Sequence, residues 1–380
     1  MDTLEMRESQ RVRRPFRRRR NQRDYGIDLL RILSMYFVVV LHTLGNGGIL
    51  TGAKPMGAAY CTAWFFSALA QCAVNCYAMI SGYVGLKSRT KYTNIIMLWL
   101  QVVFYAGVIT WITSYINPEL VGEMEIKAVF MPVFFKQHWY FSAYFCLFFF
   151  MPILNMGVEG LTKKQLEAIL LVTFLMFSVL PTALERQPFH LEGGYSVLWL
   201  VFLYVLGAYF RKHGVLANKP IYVWLILYFL SVTIAWGSKM LIEKNQIELF
   251  SGVVNSDIPM KYISPAILLS AISLLGVFSQ INPKKGAIGI IQTVSSITIG
   301  TYLIHTNPFV WMACENMMRP FLKQPVPLMI LTCLGVSLLI FLACLIIELL
   351  RVMIFGLFGV KKLFMFLEKK IVKDLWKEEE

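Results

Sequence analysis

Charge is what this sequence has little of. Of its 380 residues only 15% are Asp, Glu, Lys or Arg, against 57% hydrophobic, and the mean hydropathy is +0.61. Soluble proteins carry roughly 25% charged residues, so the solvent for most of this chain is lipid. Acid is the scarcer sign, with 22 Asp and Glu against 36 Lys and Arg, a net +14. Much of the excess lies in one stretch, RESQRVRRPFRRRRNQR at 7–23. It reads as a solvated topogenic tail attracted to anionic lipid, and nothing else in the chain calls for nucleic acid as a partner. No small-residue cleavage site follows the first apolar stretch, which itself holds Asp28, Arg31 and His42, so it is not a cleavable leader. The seven cysteines (61, 72, 76, 146, 314, 333 and 344) fall mostly in apolar runs, as packing residues rather than a disulfide framework. Cys72 and Cys76 share a helix face, but no His or carboxylate neighbours them in sequence, and no metal is expected. Internal repeats are not apparent, which weakens an inverted-repeat transporter.

What is there is apolar helix. The fold class expected is all-α: a polytopic membrane protein of about ten transmembrane helices, at 26–44, 58–83, 92–116, 139–156, 166–183, 196–211, 220–241, 261–280, 288–310 and 327–350. With the Arg-rich tail inside, the even-numbered helices return at Lys87/Arg89/Lys91, Lys163/Lys164, Arg211/Lys212, Lys284/Lys285 and Arg351/Lys361/Lys362. The opposite loops, such as 117–138 and 242–260, are poorer in basic residues. This positive-inside pattern predicts both termini cytoplasmic. Residues 1–23 form a basic cytoplasmic tail, 24–355 the membrane domain and 356–380 a cytoplasmic tail. Within the last, 361–380 reads as an amphipathic surface helix with Leu363, Phe366, Leu367 and Ile371 on its apolar side.

Titratable groups inside these spans are costly, and they are the candidates for function. Arg31 and His42 sit eleven positions apart in GIDLLRILSMYFVVVLHTL. Eleven residues of helix turn through about 1,100° and rise roughly 16 Å, so the two share a face at two depths. Asp28 neighbours Arg31 at i, i+3. An arginine near the inner face can grip phosphates as a rigid fork, and a histidine can take a proton from a hydroxyl or carry an acyl group. A snorkelling arginine paired with Asp28, and an interfacial histidine, are equally open from spacing alone. In CAVNCYAMISGYVG, Asn75 and Ser81 are polar within an apolar run, where helix packing explains them as well as a cavity does. Lys87, Arg89 and Lys91 are candidate phosphate ligands or plain topology determinants. His138, Trp139 and Tyr140 stand where an interfacial aromatic belt belongs; a floor for a sugar ring is the sharper reading. Thr298, Tyr302 and His305 fall on one helix face, with His305 at the depth of His42. His190 and His213 fall in loops and carry no special signal.

Taken together these segments resemble acyltransferase family 3, the integral membrane O-acyltransferases. The resemblance rests on Arg-x10-His (Arg31, His42) preceded by GIDLLR, on NCYAMISGYV (75–84), HWYFSAYFCLFFFMPILN (138–155), WLVFLYVLGAYF (199–210) and ITIGTYLIH (297–305). It spans about 24 to 350. It implies transfer of an acyl group, commonly acetyl from acetyl-CoA, to a hydroxyl of an envelope glycan or glycolipid outside a bacterial inner membrane. His42 would be the acid/base or acyl relay, with Asp28 beside the catalytic Arg31. Arg31, Arg89 and Lys91 would hold the donor, and Asn75, Ser81, Trp139, Tyr140, Tyr302 and His305 would line the cavity or meet the acceptor. One departure is the spacing Lys87-x-Arg89-x-Lys91 where many members carry Arg-x-x-Arg. A transporter or flippase working without chemistry is the alternative, since buried polar groups at two depths also suit alternating access. A non-catalytic sensor is a third.

Overall fold

The computed structural model describes residues 23–87, 91–249 and 252–377. Arg89 and the tail at 1–22 lie outside them. The chain opens with α1 (Tyr25–Gly45) and the single turn α2 (Ile49–Gly52), then α3 (Ala58–Ala70) and α4 (Ala73–Gly85), which share one span across a kink. Next come α5 (Tyr92–Ile116), the short α6 (Glu123–Phe130) and α7 (Trp139–Gly160). Helix α8 (Lys163–Phe174) runs through a π-turn at Leu175–Val179 into α9 (Leu180–Leu184). Then follow α10 (Val197–His213), α11 (Ile221–Asn245), α12 (Pro265–Phe278), α13 (Ile288–His305), the short α14 (Pro308–Ala313), α15 (Val326–Leu357) and α16 (Val360–Lys377). The strand pairing among the described residues is a ladder of Glu248–Leu249 with Gly252–Val253.

Nine helical stretches among the described residues are long and apolar enough to cross a membrane. Helix α10 is shorter, at 17 residues. That is about 26 Å against a hydrocarbon core of about 30 Å. Packing decides its status. Arg31 of α1 bonds Ser295 of α13, and farther along both helices His42 bonds His305, so α1 and α13 are parallel. Parallel neighbours need an odd number of crossings between them. The intervening stretches are α3–α4, α5, α7, α8–α9, α11 and α12, an even set until α10 is added. The direction of α10 agrees: Trp199 near its start reaches Asn75 early in α4, and Lys212 at its end reaches the carbonyls closing α7. The bundle therefore crosses ten times, as the apolar pattern predicts. Helix α16 docks on the first residues of α5, where Glu368 accepts from the Tyr92 N–H at 2.7 Å and from the Thr93 hydroxyl. Lys91, just before α5, shares a cavity with Arg31, so α16 and the start of α1 lie at one end of the bundle.

Local sequence sets the ends of these helices. Asp24 caps α1 through the Ile27 N–H. Thr162 and Gln165 form a capping box on α8. Gly214, left-handed at φ 64°, ends α10 behind Arg211, Lys212 and His213, cations suited to a helix C-terminus. The closest crossing is α4 on α10. A Cβ at Gly82 would collide with the Tyr204 carbonyl, and one at Gly207 with that of Met79, so these two glycines let the backbones touch. Trp199 and Tyr204 are fully buried there.

The structure corrects the predicted boundaries in places. The predicted span 288–310 stops at His305, because Asn307 turns the chain and caps α14 through the Phe309 N–H at 3.1 Å. The last span runs past 350 to Leu357, which moves Arg351 from a basic loop into the bundle. Its Nε and Nη2 grip Glu348 at 2.9 and 2.6 Å, and the Tyr105 hydroxyl closes on the same carboxylate at 2.5 Å. A second buried cation, Lys239, lies 2.7 Å from Asp257, 3.2 Å from Glu243 and 3.9 Å from the Trp64 ring centre. Satisfied in this way, both charges are tolerated inside an apolar bundle. In α16 Leu363, Phe366 and Leu367 are exposed, as an interfacial helix requires; the side chain of Ile371 is outside the described ones.

Candidate functional site

The parallel pair α1 and α13 carries two polar rungs. The first centres on Asp28, a residue 4% exposed. It accepts from Arg31 Nη1 at 3.0 Å, Ser295 Oγ at 2.9 Å and Arg23 Nε at 2.6 Å. Two guanidiniums against one carboxylate leave the rung net positive. Arg31 also donates Nη1 to Ser295 Oγ at 3.0 Å. Its guanidinium borders a cavity of about 250 Å³ with Lys91, Ser81, Asn94 and Tyr144, and an adjoining one of about 470 Å³ with Ser295, Tyr77 and Tyr140. A positive charge, held rigid and open to a polar cavity, is a site for an anion.

The second rung is a pair of imidazoles. His42 Nδ1 lies 2.8 Å from His305 Nε2, and His305 Nδ1 lies 2.5 Å from the Thr301 carbonyl. A carbonyl only accepts, so His305 carries its proton on Nδ1 and its Nε2 is a lone pair. His42 must then donate from Nδ1, which leaves His42 Nε2 as the bare nitrogen, on the far side of the ring. A base whose tautomer is fixed by a second group is the arrangement that general-base and nucleophilic histidines use. The Trp311 ring meets His42 edge-on at 4.7 Å.

The cavities at the two rungs adjoin. His42 borders a cavity of about 30 Å³ with Trp139, Tyr140, Tyr262, Tyr302 and Tyr77. Tyr77, Tyr140 and Ile299 also border the 470 Å³ cavity at Arg31. The small chamber has room for roughly two waters. A third cavity, of about 190 Å³, reaches His42 and His305 from the Trp311 side. A string of cavities thus joins Lys91 and Arg31 to His42 along α1.

Among the residues singled out from sequence, Asp28, Arg31, Ser81, Lys91, Tyr140, Tyr302, Trp139, His42 and His305 all fall on this string or its rungs. Asn75 does not. Its amide donates to the Tyr262 carbonyl at 2.8 Å and accepts from Trp199 Nε1 at 3.0 Å, a clamp between α4, α10 and the segment leading into α12. Cys72 and Cys76 are buried, and among the described residues no three His, Cys, Asp or Glu side chains gather as metal ligands. Sequence reading passed over Ser295, Tyr77, Tyr144, Thr301 and Trp311. Ser295 and His305 are ten apart on α13, nearly the Arg31–His42 interval, and that matched spacing is the signal that points to them. His138 reads from sequence as part of an interfacial belt or of a floor for a sugar ring. It is 1% exposed and donates Nδ1 to Thr306 Oγ1 at 2.9 Å, because that hydroxyl is itself committed to the Tyr302 carbonyl. Burial and the neighbouring His305 push its pKa down to about 4, so it stays neutral.

The fold is thus a helical membrane bundle in which a guanidinium pair on one carboxylate and a hydrogen-bonded pair of imidazoles lie beside adjoining cavities. A family model described as an acyltransferase domain, acyltransferase 3, matches residues 24–349, and the chain belongs to that family. Comparison with curated proteins gave no significant match. Comparison with solved structures gave none either.

Proposed function

We propose that this membrane acyltransferase is an O-acetyltransferase of the bacterial inner membrane, with both termini in the cytoplasm. It takes the acyl group from cytosolic acetyl-CoA and delivers it to a hydroxyl of an envelope glycan or glycolipid outside. The observation that carries the reading is the run of adjoining cavities between Arg31 and His42, which share Tyr77, Tyr140 and Ile299 as walls. Coenzyme A is highly charged and cannot cross a bilayer, but its slender arm can. In this reading Arg31, Lys91 and Arg89 hold the phosphates at the end where α1 begins. Asp28 holds Arg31 in place. The pantetheine arm runs up the 470 Å³ cavity, and the thioester arrives at His42, about 16 Å farther along α1. His42 Nε2 takes the acceptor's proton, His305 fixes its tautomer, and Trp139 and Tyr302 form the wall the acceptor meets. Basic residues clustered at one end of the bundle support the orientation.

The test is His42→Ala in full-length protein, assayed in membranes of the source organism from which the native copy has been deleted, with radiolabelled acetyl-CoA. Expected is a correctly inserted protein that transfers no label to the envelope fraction. Full transfer by the variant refutes the reading, and uptake of an unmodified substrate by the wild type would make the protein a transporter instead.

A further inference from the structure

Four tyrosines crowd the junction between the Arg31 and His42 cavities, and one of them differs from its neighbours. Tyr77 ties its hydroxyl to Thr298 Oγ1 at 2.6 Å. The Tyr302 hydroxyl accepts the Tyr140 N–H at 3.2 Å. The hydroxyl of Tyr140, a residue 8% exposed, is buried with no hydrogen-bond partner among the described residues. Its ring is held all round, edge-on to Tyr77 and Tyr302 and stacked on Tyr144, each with centroids 6.2 Å apart. Leaving a buried hydroxyl unsatisfied costs stability, and a catalytic role is one of the reasons a native interior retains such a group. Tyr140 borders both cavities, so a carbonyl passing from the donor side to His42 must pass this residue.

We propose that Tyr140 is a catalytic residue: its hydroxyl donates a hydrogen bond to the thioester carbonyl oxygen as that oxygen becomes an oxyanion. This rests on the acyl-transfer reading above. The acceptor hydroxyl gives its proton to His42 Nε2 while its oxygen bonds the thioester carbon, and the carbonyl π pair moves onto the oxygen facing Tyr140. When the intermediate collapses, that pair re-forms the carbonyl and the C–S bond breaks. The leaving thiolate takes the proton from His42, giving ester, free coenzyme A thiol and neutral imidazole. Tyr140 supplies a fixed dipole and undergoes no net change, which is how oxyanion donors act at least cost in reorganisation.

The experiment uses the full chain in the same deleted membranes with radiolabelled acetyl-CoA. Because the hydroxyl has no protein partner, Tyr140→Phe keeps every contact of the ring. A packing role predicts no change. The oxyanion role predicts kcat lower by about 100-fold, with the acetyl-CoA KM within about twofold of wild type and unchanged thermal stability. Replacing Tyr140 by 3,5-difluorotyrosine retains the ring and a more acidic hydroxyl, and turnover is expected to stay well above that of Tyr140→Phe. Wild-type turnover in Tyr140→Phe overturns the assignment, as does a difluorotyrosine protein as slow as Tyr140→Phe. A wild-type protein that leaves acetyl-CoA untouched, or a His42→Ala protein that keeps full turnover, brings down the acyl-transfer reading itself and Tyr140's role with it.

Discussion

Replacing His305 by Phe tests the imidazole pair directly. The ring is kept at a similar volume, so the α1–α13 contact survives, but the acceptor for the His42 Nδ1–H is lost. Among the described residues, the 2.8 Å bond to His305 is the hydrogen bond that fixes the His42 ring. A neutral hydrogen bond contributes about 0.5–1.5 kcal/mol net, and leaving its buried donor unpaired costs about 1–3 kcal/mol. If that cost falls on the orientation of His42 in the transition state, kcat drops by roughly 10- to 100-fold, at 1.36 kcal/mol per tenfold. Arg31 is about 16 Å away along α1, so the donor KM should not move. Release of coenzyme A thiol at varied acetyl-CoA, with a thermal melt of each protein, reads both quantities. Wild-type kcat in His305→Phe would refute the orienting role. A donor KM raised in step with the loss of kcat would show that the two rungs are not separable, and the division of labour along α1 would fall.

Other outcomes follow from particular contacts. Arg31→Ala should raise the donor KM by at least about tenfold, the weight of one charge-assisted bond of about 1.5–3 kcal/mol, and an unchanged donor dependence measured by the same thiol assay would remove Arg31 from donor binding. Gly82→Leu forces a side chain into the Tyr204 backbone, and overpacking of this kind costs about 1–3 kcal/mol or more; a melting temperature equal to wild type would contradict the α4–α10 crossing. His138 has its pKa lowered from 6.5 to about 4, so the unfolded chain binds a proton that the folded chain refuses. Stability is therefore full above pH 6.5 and declines as pH falls toward 4. His138→Asn, which keeps a group able to meet Thr306, should flatten that decline in melts taken across the interval, and an unaltered pH profile would contradict a buried neutral His138.

Much of the fold was legible because lipid simplifies the problem. A backbone with no water to bond must satisfy itself as helix, so apolar length alone located ten spans. The weakest of them was 196–211, too short to insist on by length. Only the parallel contact of α1 with α13 settles that α10 crosses, since register between distant helices is not written in either helix. Arg351 was misread as a loop cation for a related reason. In sequence it sits beside other basic residues past the expected end of the span, whereas the longer α15 pairs it with Glu348 at i, i+3, and Gly300 of α13 and Tyr105 of α5 close that pair inside the bundle.

The sequence by itself determined the solvent, the helical class and the chemistry available: a guanidinium and an imidazole on one face of one helix at two depths. That much follows from helical periodicity and the cost of charge in hydrocarbon. Which nitrogen of His42 is basic, that Asn75 is spent on packing, and that one tyrosine hydroxyl is left without a partner were decided by tertiary structure. Each depends on contacts between residues far apart in the chain, such as His42 with His305 and Asn75 with Tyr262 and Trp199, and contact at that range is fixed by how helices pack, which no local pattern records.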